Sequence, residues 1–221
     1  MQNKYVPALR FHALTRLYDP LVRITLKDAK LKSLLVSHLE LGGAMRVVDI
    51  GCGPGTLAIQ IARACPSARV FALDGDPDIL ALAREKAVAA GVEVTFVEGL
   101  AMAPPLEAAT FDRVVTSLVL HHLARADKRA ALRAMLQLLR PGGRLLVADW
   151  GEARSLLMRA AFLSVQILDG FANTRDHVSG RLPEFLKDAG FEKVEEIHRE
   201  RTVYGIVSFY AAVRPQGPEA S

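Results

Sequence analysis

This chain of 221 residues lacks several features that would assign it to common classes of protein. It has only two cysteines, too few for a disulfide framework, and no apolar run reaches the roughly 18 residues that a membrane-spanning helix needs. No leader peptide is visible, so we expect a cytoplasmic protein. The chain also has no zinc signature, aromatic RNA-binding motif or lysine-rich tail, so we expect no nucleic-acid partner.

Positive charge is concentrated at the start of the chain. The net charge is +4, yet residues 1–32 alone carry seven basic and two acidic side chains, so the remainder is close to neutral. A solvated helix face is the interpretation that we favour for this segment. A surface for an acidic substrate or anionic lipid is the alternative, so contact with a membrane surface stays open but is not favoured.

A run of alternating glycines follows an apolar stretch. Val47–Ile50 precedes Gly51–Gly55, which reads G-C-G-P-G, and helical spacing follows from Leu57 to Ala64. A strand, a glycine turn and a helix in this order bring bare backbone against a nucleotide-like ligand. Asp49, two residues before the first glycine, disfavours a pyrophosphate and suits a ligand that carries an ammonium group.

The spacing of the glycines discriminates between two kinds of ligand. A dinucleotide-binding turn has glycine at its first, third and sixth positions, whereas the sixth position counted from Gly51 is Thr56. The sequence therefore disfavours a nicotinamide-dependent oxidoreductase, which we keep as an alternative.

A second acidic residue ends the next predicted strand. Arg69–Leu73 has the pattern of a strand and leads to Asp74, about 20 residues after the glycine turn. An acid at this place can accept hydrogen bonds from both hydroxyls of a ribose. Asp76 and Pro77 fit the N-cap and the first position of a helix that runs to about Ala90.

These motifs resemble those of the class I S-adenosylmethionine (SAM) methyltransferases, whose first motif is often written D-x-G-x-G-x-G. Phe111–Val115 and Arg140–Val147 resemble that family's fourth strand and the segment leading into its fifth. The resemblance implies an α/β fold with a doubly wound, seven-stranded, mostly parallel sheet, its last strand antiparallel and helices on both faces. It also implies SAM as cofactor, S-adenosylhomocysteine as product, a small-molecule acceptor, and a monomer or homodimer.

The resemblance covers the whole chain, which we expect to form a single domain, 1–221. Strands are expected near 46–50, 69–73, 93–97, 112–117, 144–149, 192–199 and 202–213. Pro141–Gly143 is expected to end the helix before the fifth strand, and the tail from Arg214 is expected to be disordered. The predicted segments are an N-terminal helical lid (1–44), a SAM-binding core (45–150), a substrate-covering insertion (151–180), a C-terminal helix and strands (181–213) and a tail (214–221).

The cofactor site is expected at the carboxyl ends of the strands, where open parallel sheets bind ligands. Family members often place an acid after the third strand to bind the adenine amine, but Leu100 stands there, which leaves backbone and apolar contacts. Tyr18, just before the helix break at Pro20, is expected to fold over the SAM carboxylate. The predicted cofactor-binding residues are Tyr18, Asp49, Gly51, Cys52, Gly53, Gly55, Asp74, Gly75, Gly99, Leu100, Ala101, Ser117 and His122.

Candidate catalytic residues follow the fourth and fifth strands, although the sequence does not choose among them. They are His121, His122 and Asp149. Adjacent histidines on one short helix should point apart, so we predict no metal site. We expect His122 beside the methionine part of SAM, with a purely structural helix start as the alternative, and either histidine could act as a base.

Two aromatic residues are candidates for the substrate site. Trp150, the only tryptophan, follows Asp149, and core packing is the alternative to a substrate wall. Phe162 lies in the apolar, helix-like stretch 155–171, which the resemblance places over the substrate pocket. Core packing or contact with a membrane surface would also explain this stretch.

The sequence thus predicts a SAM-dependent methyltransferase that acts on a small, partly hydrophobic acceptor. The Asn-Pro-Pro-Tyr signature of methylation on amino groups in nucleic acids and protein glutamine is absent, since Thr116–Val119 stands in its place. The Tyr18-Asp19 pair loosely resembles that of quinone C-methyltransferases and phospholipid N-methyltransferases. The alternatives are the oxidoreductase above and a non-catalytic SAM-binding or interaction protein.

Overall fold

A computed structural model describes residues 28–152, 159 and 171–217. Tyr18, Phe162, most of the predicted lid and most of the predicted insertion lie outside the described residues. Their predicted roles stay predictions, as does the division of the domain into five segments. No helix in the described part of the chain is long and apolar enough to cross a membrane.

Strands and helices alternate from residue 28 to the third strand, and a 3-10 turn, Leu120–His122, follows the fourth strand. The strands are β1 (Arg46–Ile50), β2 (Arg69–Asp74), β3 (Thr95–Glu98), β4 (Phe111–Ser117), β5 (Leu139–Trp150), β6 (Glu192–Thr202) and β7 (Gly205–Val213). The helices are α1 (Asp28–His38), α2 (Thr56–Ala64), α3 (Pro77–Ala90), α4 (Arg125–Leu138), α5 (Phe171–Val178) and α6 (Leu182–Asp188).

The strands form one sheet in the order β3-β2-β1-β4-β5-β7-β6. Strands β1 to β5 pair in parallel, and β7 lies antiparallel between β5 and β6. The strand order reverses between β1 and β4, so the carboxyl ends of these two strands flank the crevice where such sheets bind ligands. The predicted seven-stranded, mostly parallel sheet with an antiparallel last strand is confirmed.

Apolar side chains cover both faces of the sheet. Successive strand residues point to opposite faces, and Val47 and Val48 of β1 accordingly belong to two different core clusters. Helices α1, α2 and α3 pack on the first face, and α4 and α6 pack on the second. Burial on both faces explains why the central parallel strands read as continuous apolar runs.

The predicted ends of α3 are confirmed. The Asp76 side chain accepts from the backbone N–H groups of Asp78 and Ile79, and Pro77 occupies the first turn, where it needs no hydrogen-bond donor. Gly91, with a φ of +65°, ends the helix in the left-handed conformation that glycine adopts most readily.

Four strands have a boundary that differs from the prediction by two or more residues: β6 ends at Thr202, β7 begins at Gly205, and β3 and β5 differ at their first residues. Strand β3 begins at Thr95, and β5 already begins at Leu139, so Pro141–Gly143 lies within β5. Contacts of Arg214 explain why β5 begins early. Its guanidinium donates to carbonyl oxygens in the last turn of α4 at 3.1–3.2 Å. Its backbone forms hydrogen bonds with Gly142 and Gly143. The prediction that a disordered tail begins at Arg214 is therefore wrong for this residue.

The two edges of the sheet differ in length and charge. Strand β3, at one edge, has only four residues. Strand β6, at the other edge, has eleven residues, of which seven are Glu, Lys or Arg. Charges of both signs therefore line the longer edge.

Several segments meet at the carboxyl edge of the sheet. Strand β5 ends there at Trp150, which pairs with Val207 close to the β6–β7 hairpin turn. Helix α1 begins near the same turn, since Lys30 in its first turn forms a 2.6 Å ion pair with Glu200. Helix α5 packs on the 3-10 turn and on β5. The carboxyl edge is thus approached from three parts of the chain.

Candidate active site

Strand β1 leads into a loop in which alternate glycines adopt left-handed backbone. The φ angles of Gly51, Gly53 and Gly55 are +72°, +51° and +73°, a region that residues with side chains rarely adopt. The N–H groups of Gly51 and Cys52 both donate to the carbonyl oxygen of Leu73, at 2.8 and 2.9 Å. The loop is therefore held against the end of β2, directly before the N-terminus of α2.

The three glycines are needed for different reasons. A Cβ at Gly51 would lie 2.4 Å from Cγ2 of Val119, and a Cβ at Gly55 would lie 3.0 Å from that of Ala83. These two positions are constrained by the protein's own packing. A Cβ at Gly53 would meet nothing within 4 Å, so bare backbone faces open space there. Of the three glycines, Gly53 is therefore the one where a side chain would obstruct a ligand rather than the protein's own packing.

Asp74 supports this loop from the end of β2. Its Oδ2 accepts from the backbone N–H of Gly53 at 2.8 Å, and its Oδ1 accepts from that of Asp76 at 3.1 Å, across the partly exposed Gly75. A carboxylate has about four acceptor positions. Asp74 can therefore hold the loop and still accept hydrogen bonds from two ribose hydroxyls.

Asp49 and Cys52 lie at the base of the loop. Asp49 is 1% exposed at the end of β1, and Cys52 is 5% exposed. Burial raises the pKa of the Cys52 thiol, and the carboxylates of Asp49 and Asp74 raise it further. The thiol therefore stays protonated and unreactive, and Cys52 serves as a small residue in a tight turn.

The loop after β3 lies beside Asp74. The N–H of Gly99 donates to the carbonyl oxygen of Asp74 at 2.9 Å, and a Cβ at Gly99 would lie 2.5 Å from Cδ of Pro105. Leu100 and Ala101 follow, both partly exposed. The loop therefore leaves two apolar side chains partly exposed, and its predicted contact with adenine stays a prediction.

The segment after β4 joins the glycine loop to β5. Ser117 ends β4 partly exposed, and Leu118 has a φ of +57°, which is uncommon for a residue with a side chain. The N–H of Leu118 donates to the carbonyl oxygen of Ala148 on β5 at 2.8 Å. Val119 then packs over Gly51. The bend at Leu118 therefore brings the 3-10 turn against both neighbours.

Asp149, near the end of β5, is fully buried and fixes the 3-10 turn. Its Oδ2 accepts from the backbone N–H groups of Leu120 and His121 at 2.8 and 3.3 Å. Its Oδ1 accepts from the N–H of Trp150 at 2.7 Å and faces Nδ1 of His121 at 2.8 Å. Burial favours a higher pKa for Asp149, but His121, His177 and these hydrogen bonds outweigh it and hold the pKa well below its usual range. The carboxyl group is therefore ionised.

The prediction that His121 and His122 point apart is wrong. Their ring centroids lie 3.9 Å from each other, because Asp149 holds the ring of His121 over a turn too short to be a regular helix. His121 is 4% exposed, whereas His122 is partly exposed and its carbonyl oxygen accepts from Asn173 at 3.0 Å. Among the described residues, no group of three His, Cys, Asp or Glu side chains could hold a metal ion.

Helix α5 brings to Asp149 a residue that the sequence analysis did not select. His177 is 1% exposed, and its Nδ1 lies 3.1 Å from the carbonyl oxygen of Trp150 and 3.7 Å from Oδ1 of Asp149. The only feature of the sequence that could have drawn attention to His177 is the polar run Asn173–His177, which ends a largely apolar stretch.

Buried charges anchor α5 to α4. Lys128 of α4 is 0% exposed and its Nζ donates to the carbonyl oxygen of Asn173 at 3.1 Å. Asp176 of α5 accepts two hydrogen bonds from Arg125, at 2.6 and 3.1 Å. Burial lowers the pKa of Lys128, while Asp149 and Asp176 oppose the shift. These contacts hold α5 in a defined position above the end of β5.

Trp150 is 3% exposed and belongs to the core, with its ring edge-on to that of His121 at a centroid distance of 6.2 Å. Packing therefore describes Trp150 in this structure. Its predicted contact with a substrate stays a prediction.

Comparison with known proteins gives a consistent result. Residues 47–143 match a family model described as a methyltransferase domain. The chain is 38% identical over 188 residues to demethylmenaquinone methyltransferase of Thermus thermophilus, an alignment that covers 77% of this chain and 83% of that protein. It is 32% identical over 165 residues to the ubiquinone biosynthesis O-methyltransferase of Xanthomonas euvesicatoria, an alignment that covers 71% of this chain and 66% of that protein. The chain belongs to the SAM-dependent methyltransferases of class I.

A solved methyltransferase structure shares the fold. Magnesium protoporphyrin IX methyltransferase from Synechocystis, crystallised with S-adenosylhomocysteine, superposes with a TM-score of 0.65 at 24% identity, covering 87% of this chain and 84% of that one. The predicted family, enzymatic activity and SAM cofactor are thus confirmed for this methyltransferase. The oxidoreductase and the non-catalytic binding protein are the less favoured interpretations.

The residues of this methyltransferase fit SAM. Gly53 offers bare backbone next to open space, Asp74 has acceptor positions to spare, and the buried Asp49 adds a negative charge at the base of the loop. When bound, SAM supplies a methyl group already activated by its positively charged sulfur. The protein therefore has mainly to align an acceptor and exclude water.

Proposed function

We propose that SAM lies across the glycine loop, with its ribose on Asp74 and its adenine against the loop at Gly99–Ala101. The open space at Gly53 and the acceptor positions left on Asp74 support this placement. The methionine part of SAM then lies towards Asp49, Ser117 and His122. Monomeric or homodimeric state, independence from nucleic acid and cytoplasmic location stay predictions.

We further propose that the acceptor is a small, partly hydrophobic ring of the quinol type, which carries hydroxyl groups. The observation that carries this proposal is the buried Asp149 with His121 and His177 around it, beside the aromatic ring of Trp150. A neutral amine is already a good nucleophile and needs no base, whereas a hydroxyl-bearing ring becomes a strong nucleophile only when it loses a proton. The names of the Thermus and Xanthomonas relatives, which refer to menaquinone and ubiquinone, support the same class.

Methyl transfer from isotope-labelled SAM tests the acceptor class. The protein would be incubated with naphthohydroquinone, with catechol and with a panel of primary amines, and products would be identified by mass spectrometry. We expect label in the two hydroxylated rings and none in the amines. The dimethyl ether of naphthohydroquinone serves as the matched acceptor without hydroxyls. Transfer to amines alone would contradict the proposal.

A further inference from the structure

The ring of His177 has a defined orientation. Its Nδ1 lies 3.1 Å from the carbonyl oxygen of Trp150, and a carbonyl oxygen can only accept a hydrogen bond. Nδ1 therefore carries the hydrogen. In the neutral ring, the lone pair that can accept a hydrogen bond or a proton is on Nε2.

The surroundings keep this ring neutral. Burial lowers the pKa of His177 to about 4; Asp149 of β5 opposes the shift, and Lys128 of α4 and His121 of the 3-10 turn add to it. At neutral pH, Nε2 is therefore an unprotonated nitrogen.

The Nε2 atom is buried, and none of the described residues forms a hydrogen bond with it. Buried polar groups are nearly always paired, because an unpaired group loses its hydration without compensation. A purely structural role accounts for Nδ1 of His177 but not for Nε2. A donor supplied by a ligand would complete the pairing.

The position of His177 suits an acceptor ligand. Its ring lies edge-on to that of His121, with a centroid distance of 6.2 Å, and it contacts the last residue of β5. Both neighbours lie at the carboxyl edge of the sheet, on the side of β4 and β5 rather than on the side of the glycine loop. His177 thus lies on the β4–β5 side of the site, where an acceptor would meet the methyl end of SAM.

We propose that Nε2 of His177 accepts a hydrogen bond from a hydroxyl group of the acceptor and takes its proton during methyl transfer. This inference rests on the proposed quinol-type acceptor. The ionised Asp149, 3.7 Å from Nδ1, then stabilises the positive ring. Asp149 acts through His177 and is a positioning residue.

The proposed step balances in atoms and charge. The acceptor O–H bond breaks, its proton moves to Nε2, and the electron pair of the oxyanion increases the nucleophilicity of the oxygen and of the adjacent ring carbon. The methyl group leaves the sulfonium, whose bonding pair stays on sulfur as the neutral thioether, and it bonds to the acceptor. After methylation on carbon, the ring loses its C–H proton and the oxygen regains one. One proton reaches solvent for each methyl transferred.

Two substitutions separate hydrogen bonding from proton transfer. The amide of His177→Asn can replace the Nδ1 donor to Trp150 but has nothing at the place of Nε2. The amide of His177→Gln reaches the place of Nε2 and can accept a hydrogen bond but not a proton. We expect kcat with naphthohydroquinone to fall by about 100-fold in both variants, with SAM affinity unchanged. His198→Asn, on β6, is the control and should keep wild-type activity.

Ligand affinity gives a readout that does not depend on turnover. Wild-type protein with S-adenosylhomocysteine should bind naphthohydroquinone about tenfold more tightly than its dimethyl ether, which cannot donate a hydrogen bond. His177→Asn should lose this preference and His177→Gln should retain it. The acid limb of kcat/KM, expected near pH 4 in the wild type, should disappear in His177→Gln.

The outcomes distinguish this inference from the proposed function. If the wild type does not methylate naphthohydroquinone but prefers it to the ether through His177, the acceptor class is wrong and the hydrogen bond stands. Wild-type turnover that survives in both variants would overturn the role of His177. Absence of any preference for the hydroquinone over its ether, including failure to bind either, would overturn it as well.

Discussion

The proposed cofactor side and the proposed acceptor side of this methyltransferase are built in different ways. On the cofactor side, the glycines of Gly51–Gly55 leave the backbone bare, and Asp74, about 20 residues later, accepts a hydrogen bond from Gly53. On the acceptor side, three side chains from separate parts of the chain converge: His121, Asp149 and His177. The first depends on backbone conformation and is local in sequence. The second depends on buried side-chain chemistry and forms only in the folded protein.

Replacement of Gly53 by valine should give the largest effect on the cofactor side. The φ of +51° disfavours a β-branched residue, and its side chain would fill the open space above the loop. We expect SAM binding to become undetectable by calorimetry.

Gly43 offers a matched control for this change. Its φ is +59° and a Cβ there would also meet nothing within 4 Å, but it lies before β1, at the amino edge of the sheet. Gly43→Val should therefore carry a similar backbone strain and keep SAM affinity. Equal loss of affinity in both variants would show that strain alone, and not obstruction of the ligand, explains the effect.

The acceptor side should give the molecule a pH-dependent stability. The pKa of His177 is about 4 in the folded protein, below its ordinary value of 6.5, so between these values the unfolded chain binds the proton and the folded protein does not. Stability should fall by about 2 kcal/mol between pH 7 and pH 5 from this residue. Asp149 stays ionised throughout this window.

Urea unfolding of the wild type and of His177→Asn at pH 7, 6 and 5 would measure this contribution. The variant is expected to be less stable at pH 7 but to lose less stability on acidification. Parallel pH profiles for the two proteins would show that His177 is not the group responsible.

Asp74→Ala should weaken SAM binding at least tenfold, since hydrogen bonds to a charged group are worth roughly 1.5–3 kcal/mol each. Part of the loss would come from Gly53, whose N–H loses its acceptor. Calorimetric titration with SAM measures the effect, and Asp78→Ala, on the neighbouring turn of α3, is the control. A loss below twofold would remove Asp74 from the cofactor site.

Asp76→Ala should give the smallest effect. Its carboxylate caps α3 through Asp78 and Ile79, and the loss of such a cap costs about 1 kcal/mol of unfolding free energy. SAM affinity should stay within threefold of the wild type. A large loss of affinity would extend the cofactor side beyond Asp74 to a residue that we assign to helix capping.

The sequence predicts the conformation of the glycine loop better than the arrangement around Asp149 for a physical reason. A left-handed loop after a buried strand requires glycine at fixed spacing, so the sequence alone indicates the loop at Gly51–Gly55. The same holds for the helix caps Asp76 and Gly91. His177 carries no such local signature, because its importance arises from burial against Asp149 and Trp150. The sequence likewise does not reveal that the rings of His121 and His122 lie close together, because the position of His121 depends on the same distant carboxylate.

The boundaries of β5 illustrate the same limit. A proline and two glycines normally interrupt regular structure, and the prediction placed a helix end there. In the structure, Arg214, more than 70 residues away in sequence, supplies the hydrogen bonds that let Pro141–Gly143 continue as strand. The tendency of proline and glycine to end regular structure is thus outweighed by contacts with Arg214, a residue too distant in sequence to be seen in the local pattern.

The charged edge strand β6 has a consequence for how copies of this enzyme could associate. Two sheets join edge to edge only when unpaired N–H and C=O groups approach along several residues, and seven charged side chains among eleven residues oppose that approach. The opposite edge, β3, provides only four residues for such pairing. A homodimer of this enzyme would therefore be held by its helices or loops, and each sheet would end within its own subunit.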